Sequence, residues 1–216
     1  WLVGDGWIRT DDRNCRVGFT FAEGDLEILP ILKPVVNHYY GQPIQEVLRE
    51  NGVYHLSYHS KYFTEFFLKL GVKAVDSQDK RVPESIFAAP KEAVTGFLQG
   101  LFTADGTANY LKDKNAYVRL SSKSLMLLKD VQVLLLNYGI RTCIYDRSRD
   151  PRITFSYTNK KGETKKYMSD GKEYELTVSK ENLPRFFDQI GFIGTKNHAK
   201  KEKLLNKNYY PEKFTE

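Results

Sequence analysis

The sequence predicts an α/β fold of the α+β kind, in which one αββαββα unit is used twice about a pseudo-twofold axis. Three observations point there. The chain matches itself at a fixed offset, each copy alternates short strands with amphipathic helices, and 216 residues exceed one average domain without filling two. Trp1-Leu-Val-Gly-Asp5-Gly6 recurs 100 positions later as Leu101-Phe-Thr-Ala-Asp105-Gly106, and Val17–Phe21 falls at the same offset from Tyr117–Ser121. Tyr54-His-Leu-Ser and Tyr174-Glu-Leu-Thr lie 120 apart, as do Phe66-Phe67 and Phe186-Phe187, so about twenty residues have entered the second copy between these anchors.

Element by element, the second copy reads as follows. Ala93 to Ala104 is a helix closed by Gly106. In Tyr117–Ser121 strict alternation puts Val118 and Leu120 on one face of a strand. Leu127, Leu128, Val131, Leu134, Leu135 and Tyr138 repeat at helical spacing, and Gly139 stops that helix. Strands at Arg141–Arg147 and Tyr174–Val178 follow, then a helix with Leu183, Phe186, Phe187 and Ile190 on one side. In the first copy Pro30 and Pro34 interrupt the corresponding long helix, which is expected to be kinked or to start late. The domains are accordingly residues 1–92, 93–205 with a basic insertion at 146–172, and a tail at 206–216. Asn159-Lys-Lys-Gly162 between two alternating runs makes that insertion an extended hairpin with Gly162 at its turn.

Composition narrows the function. No stretch reaches the ~18 consecutive apolar residues of a membrane span, and no signal segment is recognised, so an intracellular, cytoplasmic place with access to the chromosome is expected. Trp1 stands inside what reads as a helix end, so the opening of that helix is expected to lie upstream. Residues 1–95 carry 11 basic and 13 acidic side chains, and residues 96–216 carry 22 and 14, so a net −2 faces a net +8. A basic second half suits a polyanion, nucleic acid before membrane, or is simply a solvated face. Cys15 and Cys143 form no zinc spacing or disulfide framework and read as free buried thiols, while His55 and His59 read as structural or surface residues on a strand.

The two Asp-Gly helix ends are where chemistry is expected. Gly96 and Gly100 lie on one helix face and would admit the backbone of the helix ending at Gly6, making Asp5 and Asp105 neighbours. A carboxylate at a helix C-terminus faces the negative end of the dipole at a cost of ~0.3–1 kcal/mol, and a second carboxylate beside it adds repulsion. Such a pair needs a cation. Oxygen ligands without His or Cys favour Mg²⁺ (or Mn²⁺), bound partly through phosphate oxygens, and the reaction that follows is metal-assisted phosphodiester hydrolysis.

In Leu98-Gln-Gly-Leu-Phe-Thr-Ala-Asp105-Gly106 the chain resembles the LAGLIDADG homing endonucleases in their two-repeat, single-chain form, with Trp1–Gly6 similar to the last six positions of the first motif copy. Lys80-Arg-Val-Pro83 and Ile190-Gly-Phe-Ile193 are similar to blocks of intein endonuclease domains. Neither a splicing nucleophile nor a terminal His-Asn pair occurs in these residues. The resemblance implies two motif helices at the centre and a saddle of two four-stranded antiparallel sheets in the DNA major groove. It further implies a divalent metal at Asp5 and Asp105, with Gly4 and Ala104 beside them, and Ca²⁺ as a non-cleaving substitute. A lysine near each site is also implied: Lys80 for one, Lys196 by pattern or Lys200 by offset for the other.

For the DNA-facing surface the candidates are Arg9, Arg13, Arg16, Lys112, Arg119, Ser121, Arg141, Tyr145 and Arg147, with Arg149, Arg152, Lys160 and Lys161 from the insertion. The expected activity is site-specific cutting of both strands of a long, asymmetric double-stranded DNA target by a monomer with pseudo-twofold symmetry, with no membrane or small-molecule partner. The alternative is a catalytically silent DNA-binding regulator or RNA-binding splicing helper on the same scaffold.

Overall fold

The computed structural model describes residues 1–11, 14–110, 116–158, 162–179, 181–195 and 197–205. A one-turn helix α1 (Leu2–Asp5) leads into strands β1 (Gly6–Asp11) and β2 (Asn14–Phe21), helix α2 (Leu29–Tyr40), strands β3 (Val47–Leu48) and β4 (Tyr54–His59) and helix α3 (Lys61–Lys69). A connecting segment with a short helix α4 (Glu84–Phe87) reaches the second unit. There α5 (Lys91–Asp105), β5 (Gly106–Tyr110), β6 (Ala116–Ser122), α6 (Leu125–Asn137), β7 (Cys143–Asp146), β8 (Arg152–Thr158), β9 (Thr164–Ser169), β10 (Tyr174–Ser179), α7 (Asn182–Gln189) and α8 (His198–Leu205) repeat the order, with β8 and β9 added.

The sheets share one topology. The first runs β1-β2-β4-β3 and the second β5-β6-β10-β7, antiparallel throughout, and β8-β9 form a separate two-stranded ribbon. Alternation sorts the faces: Val17, Phe19, Phe21, Leu56 and Tyr58 are buried under the first sheet, and Val118, Leu120, Leu176 and Val178 under the second. Helix α1 joins both cores, since Val3 is packed in the second while Trp1 and Leu2 lie on the first and the Trp1 and Phe21 rings stack at 5.0 Å.

Both motif glycines are demanded by close approach. A Cβ at Gly6 would stand 2.5 Å from the Leu2 carbonyl oxygen, and one at Gly106 2.3 Å from that of Phe102, because the chain leaves each helix in extended conformation across its last turn. The helix contact itself differs in part from the expectation. A Cβ at Gly96 would meet nothing within 4 Å and one at Gly100 only the Trp1 backbone nitrogen at 3.2 Å, whereas one at Gly4 would lie 2.8 Å from the Ala104 Cβ. The described α1 runs back only to Leu2, so the close approach falls at Gly4 and Ala104, beside the acids.

The late start expected of the proline-bearing helix is met, and two other expectations are corrected. Helix α2 starts at Leu29 with Pro30 in its first turn and accommodates Pro34. Aligned on Tyr40-Gly41 and Tyr138-Gly139, it begins two residues later than α6. Strand β7 is shorter than expected, leaving Arg141 and Arg147 outside it. Neither thiol is buried: Cys143 is exposed on β7, on the face opposite buried Leu176, and Cys15 is half-exposed because it stands at the start of β2, beyond the buried run Val17–Phe21. The insertion is the hairpin expected, with Gly162 in the left-handed region at φ 80°.

Candidate active site

Asp5 ends α1 and Asp105 ends α5, and the two helix ends meet. A Cβ at Gly4 would lie 3.0 Å from Asp105 Oδ2, so a side chain there would press on that carboxylate beside the first motif. Burial pushes the Asp5 carboxyl up to about 7, helped by the charges of Asp105 and Asp25 and opposed by Lys80. Burial also raises Asp105, again against Lys80. The Lys80 ammonium donates to the Gly4 carbonyl at 2.6 Å, and burial lowers its pKa while both aspartates hold it up. A positive charge therefore already stands among these oxygens. Two desolvated carboxylates and a main-chain carbonyl form an oxygen donor set that fits a hard divalent cation. Among the described residues no cluster of three His, Cys, Asp or Glu side chains is found, so water and substrate oxygens would complete the shell.

Lys80 is delivered by the second repeat. Asp130, buried on α6, accepts from Arg81 Nε (2.6 Å) and Nη2 (2.8 Å) and from the Val82 N–H (3.2 Å), while the Ser124 hydroxyl donates to the Lys80 carbonyl at 2.7 Å. Asp130 and Ser124 were not singled out in the sequence. Asp130 occurs once within a leucine-rich helix, where it reads as an ordinary exposed turn position.

Two clefts meet at Ser77 and Lys80. One, about 450 Å³, contains Asp5 and Asp105 and is walled by Ser121, Lys123, Arg149, Arg152 and Lys172. The other, about 760 Å³, follows the first sheet past Trp7, Arg9, Arg16, Arg49 and His55. On that sheet the Arg9 and Arg16 guanidiniums lie over the Trp7 ring at 5.9 and 5.1 Å, and the ring covers Gly18, where a Cβ would come within 2.1 Å of it. Arg16 Nε is buried without a hydrogen-bond partner among the described residues. On the second sheet Arg119 and Arg147 share the carboxylate of Glu175, and Arg147 lies over the Tyr145 ring at 5.0 Å.

The structure thus brings together Asp5, Asp105, Gly4, Ala104 and Lys80, with Ser121, Arg149 and Arg152 on the same cleft. Arg141 instead pairs with Glu181 at 3.4 Å. Lys200 is on α8 and is absent from the described cleft walls, and Arg13, Lys112, Lys160, Lys161 and Lys196 lie outside the described residues. No described helix is long and apolar enough to cross a membrane.

Paired repeats, two four-stranded saddle sheets and an acid at the end of each central helix define a LAGLIDADG protein. Residues 92–191 match the LAGLIDADG-like domain, and this part of the chain belongs to that family. It is similar to the homing endonuclease I-DmoI solved in complex with DNA and Mn, at 21% identity and a TM-score of 0.58, over 88% of this chain and 91% of that one; that likeness shows the fold. It is 30% identical over 205 residues to the DNA polymerase II large subunit of Thermococcus kodakarensis, covering 92% of this chain and 11% of that protein. It is 30% identical over 139 residues to the replicative DNA helicase DnaB of Rhodothermus marinus, covering 63% and 13%. The chain therefore spans about a tenth of the curated relatives named here.

Proposed function

We propose that this chain is the site-specific endonuclease of a mobile element, cutting both strands of duplex DNA with divalent metal. The observation that carries the reading is the convergence of Asp5 and Asp105, one from each repeat, beside the buried Lys80 ammonium. A polymerase subunit and a helicase share no activity that a tenth of their length would supply. A module common to both fits an inserted element such as an intein, whose endonuclease domain the blocks around Lys80 and Ile190 resemble.

The Asp5 and Asp105 carboxylates would hold the metal, with the Gly4 and Ala104 backbone beside them. When bound, Mg²⁺ or Mn²⁺ neutralises phosphate charge and lowers the pKa of a water. Lys80, with its pKa lowered by burial and its ammonium fixed at Gly4 O, is placed to offset the charge that builds on a phosphate in the cleft. Ser121, Lys123, Arg149, Arg152 and Lys172 on the cleft wall, and Arg9, Arg16 and Arg49 along the first sheet, bind backbone or base edges of the DNA. Repeats that differ in side chains call for an asymmetric target and one chain per site.

The test is a plasmid library carrying a randomised segment, incubated with the protein and Mg²⁺, then with Ca²⁺, and scored for linear product. Linearisation with Mg²⁺ that is lost in Asp105→Asn, with binding retained, is expected. Binding without cleavage by the parent chain would instead favour a DNA-binding module.

A further inference from the structure

Glu175 is an acid in the middle of a surface otherwise suited to a polyanion. It stands on β10 opposite Ser121 of β6 and Tyr145 of β7, and is only 7% exposed. Its Oε2 accepts from Arg119 Nη1 at 3.1 Å, its Oε1 lies 3.6 Å from Arg147 Nη2, and the Thr177 hydroxyl donates to Oε1 at 3.3 Å. Arg147 is held from another side by the Tyr145 ring. The two arginine side chains remain 39% and 50% exposed, so each turns one guanidinium nitrogen to the acid and keeps its other donors open to the groove. In the first repeat the matching position is His55, which accepts from Arg49 Nε at 3.2 Å and brings no such charge.

A buried carboxylate here weakens attraction to phosphate, so affinity does not explain it. Direction does. An untethered arginine swings to the nearest phosphate, whereas one anchored along an edge presents its planar fork at a fixed angle, as bidentate pairing with guanine O6 and N7 requires. We propose that Glu175 is a positioning residue that sets specificity, holding Arg119 and Arg147 as two fixed forks for guanine edges in the half of the target under the second repeat. This rests on the reading of the sheets as the duplex-binding surface.

The test is selection of double-stranded oligonucleotides with a randomised segment by the parent chain and its variants, followed by titration of the selected duplex and of random duplex. The parent is expected to enrich a site with fixed guanines that Arg119→Ala and Arg147→Ala each lose in part. Glu175→Gln should lose those same guanines, cutting the ratio of specific to random affinity at least about 10-fold. Random-duplex affinity should rise, with a salt dependence steeper by about one phosphate contact for each freed arginine. A Glu175→Gln protein that melts earlier yet keeps the same base preferences overturns the proposal and leaves the DNA reading standing. A parent that enriches no sequence overturns both. Should Glu175→Gln fail to fold, Arg119→Lys and Arg147→Lys keep the charge and remove the fork: lost guanines with an unchanged salt slope support the proposal, and retained guanines overturn it.

Discussion

On the first sheet Arg9 and Arg16 lie over an indole ring with no salt-bridge partner among the described residues, whereas on the second Arg119 and Arg147 share a buried carboxylate. His55, the first-repeat counterpart of Glu175, has its pKa lowered by burial and then by Arg49, so it stays neutral near pH 7. The net charges of the two halves run the other way, −2 against +8. The second half carries part of its surplus on the ribbon and cleft wall, at Arg149, Arg152, Lys165, Lys166 and Lys172, and balances the arginines of its sheet. What meets a ligand is therefore set by strand register, which the sum over a half does not report. On the reading proposed above, the first sheet grips the duplex and the second chooses among sequences.

The sharpest way to break this contrast is to remove the indole. Trp7→Ala takes away the platform of two guanidiniums and is expected to weaken duplex binding by about 1–3 kcal/mol, read by anisotropy titration at fixed salt. Gly18→Ala should reproduce that loss, because its Cβ would displace the ring, and should add about 1–3 kcal/mol of destabilisation from overpacking. If Gly18→Ala binds as tightly as the parent, the stacked arrangement does not carry the grip.

A second test addresses the support behind the acids, where the second repeat holds the segment bearing Lys80 through Asp130 and Ser124. Asp130→Ala leaves the Val82 N–H and Arg81 without their acceptor and is expected to destabilise by about 1–3 kcal/mol in urea unfolding, since half-exposed Arg81 can rehydrate. Cleavage by the still-folded protein should fall as well, because, of the Asp130 and Ser124 anchors, Ser124 then remains to hold the Lys80 backbone. Asp130→Asn, which keeps an acceptor for Val82, should lose less of both.

Much of the fold and the acid pair was legible in the sequence because the signals are local and repeated. An apolar run closing on Asp-Gly, twice, fixes two helix ends, and alternation about Gly162 fixes the ribbon. Trp7 over Gly18, and Glu175 between two arginines, exist only once strands are in register, and no pattern in a single strand reveals them. Asp130 was hidden because its partners are 48 and 49 residues away in sequence. The close helix contact expected at Gly96 and Gly100 is met at Gly100, against the Trp1 backbone, and not at Gly96, because small residues permit approach without fixing where it occurs.

The acids themselves give the most diagnostic test, because two repeats that differ on their sheets here carry the same residue. Asp5 has a carboxyl pKa near 7 in the folded chain against an ordinary 3.8. Between those values the folded chain keeps a proton that the unfolded chain has released, so stability falls as pH rises through this window, and the full cost is present above pH 7. Asp5→Asn has no such proton to lose. In EDTA it should match the parent below about pH 4 and exceed it at pH 8 by roughly 1–4 kcal/mol, the range reflecting partial exposure of the site. Adding Mg²⁺ should narrow or reverse the order, because the parent alone gains from a cation bound at both carboxylates. Urea melts at several pH values, with and without metal, read this directly. A difference between the two proteins that does not change with pH would mean that the Asp5 carboxylate is not desolvated against Asp105.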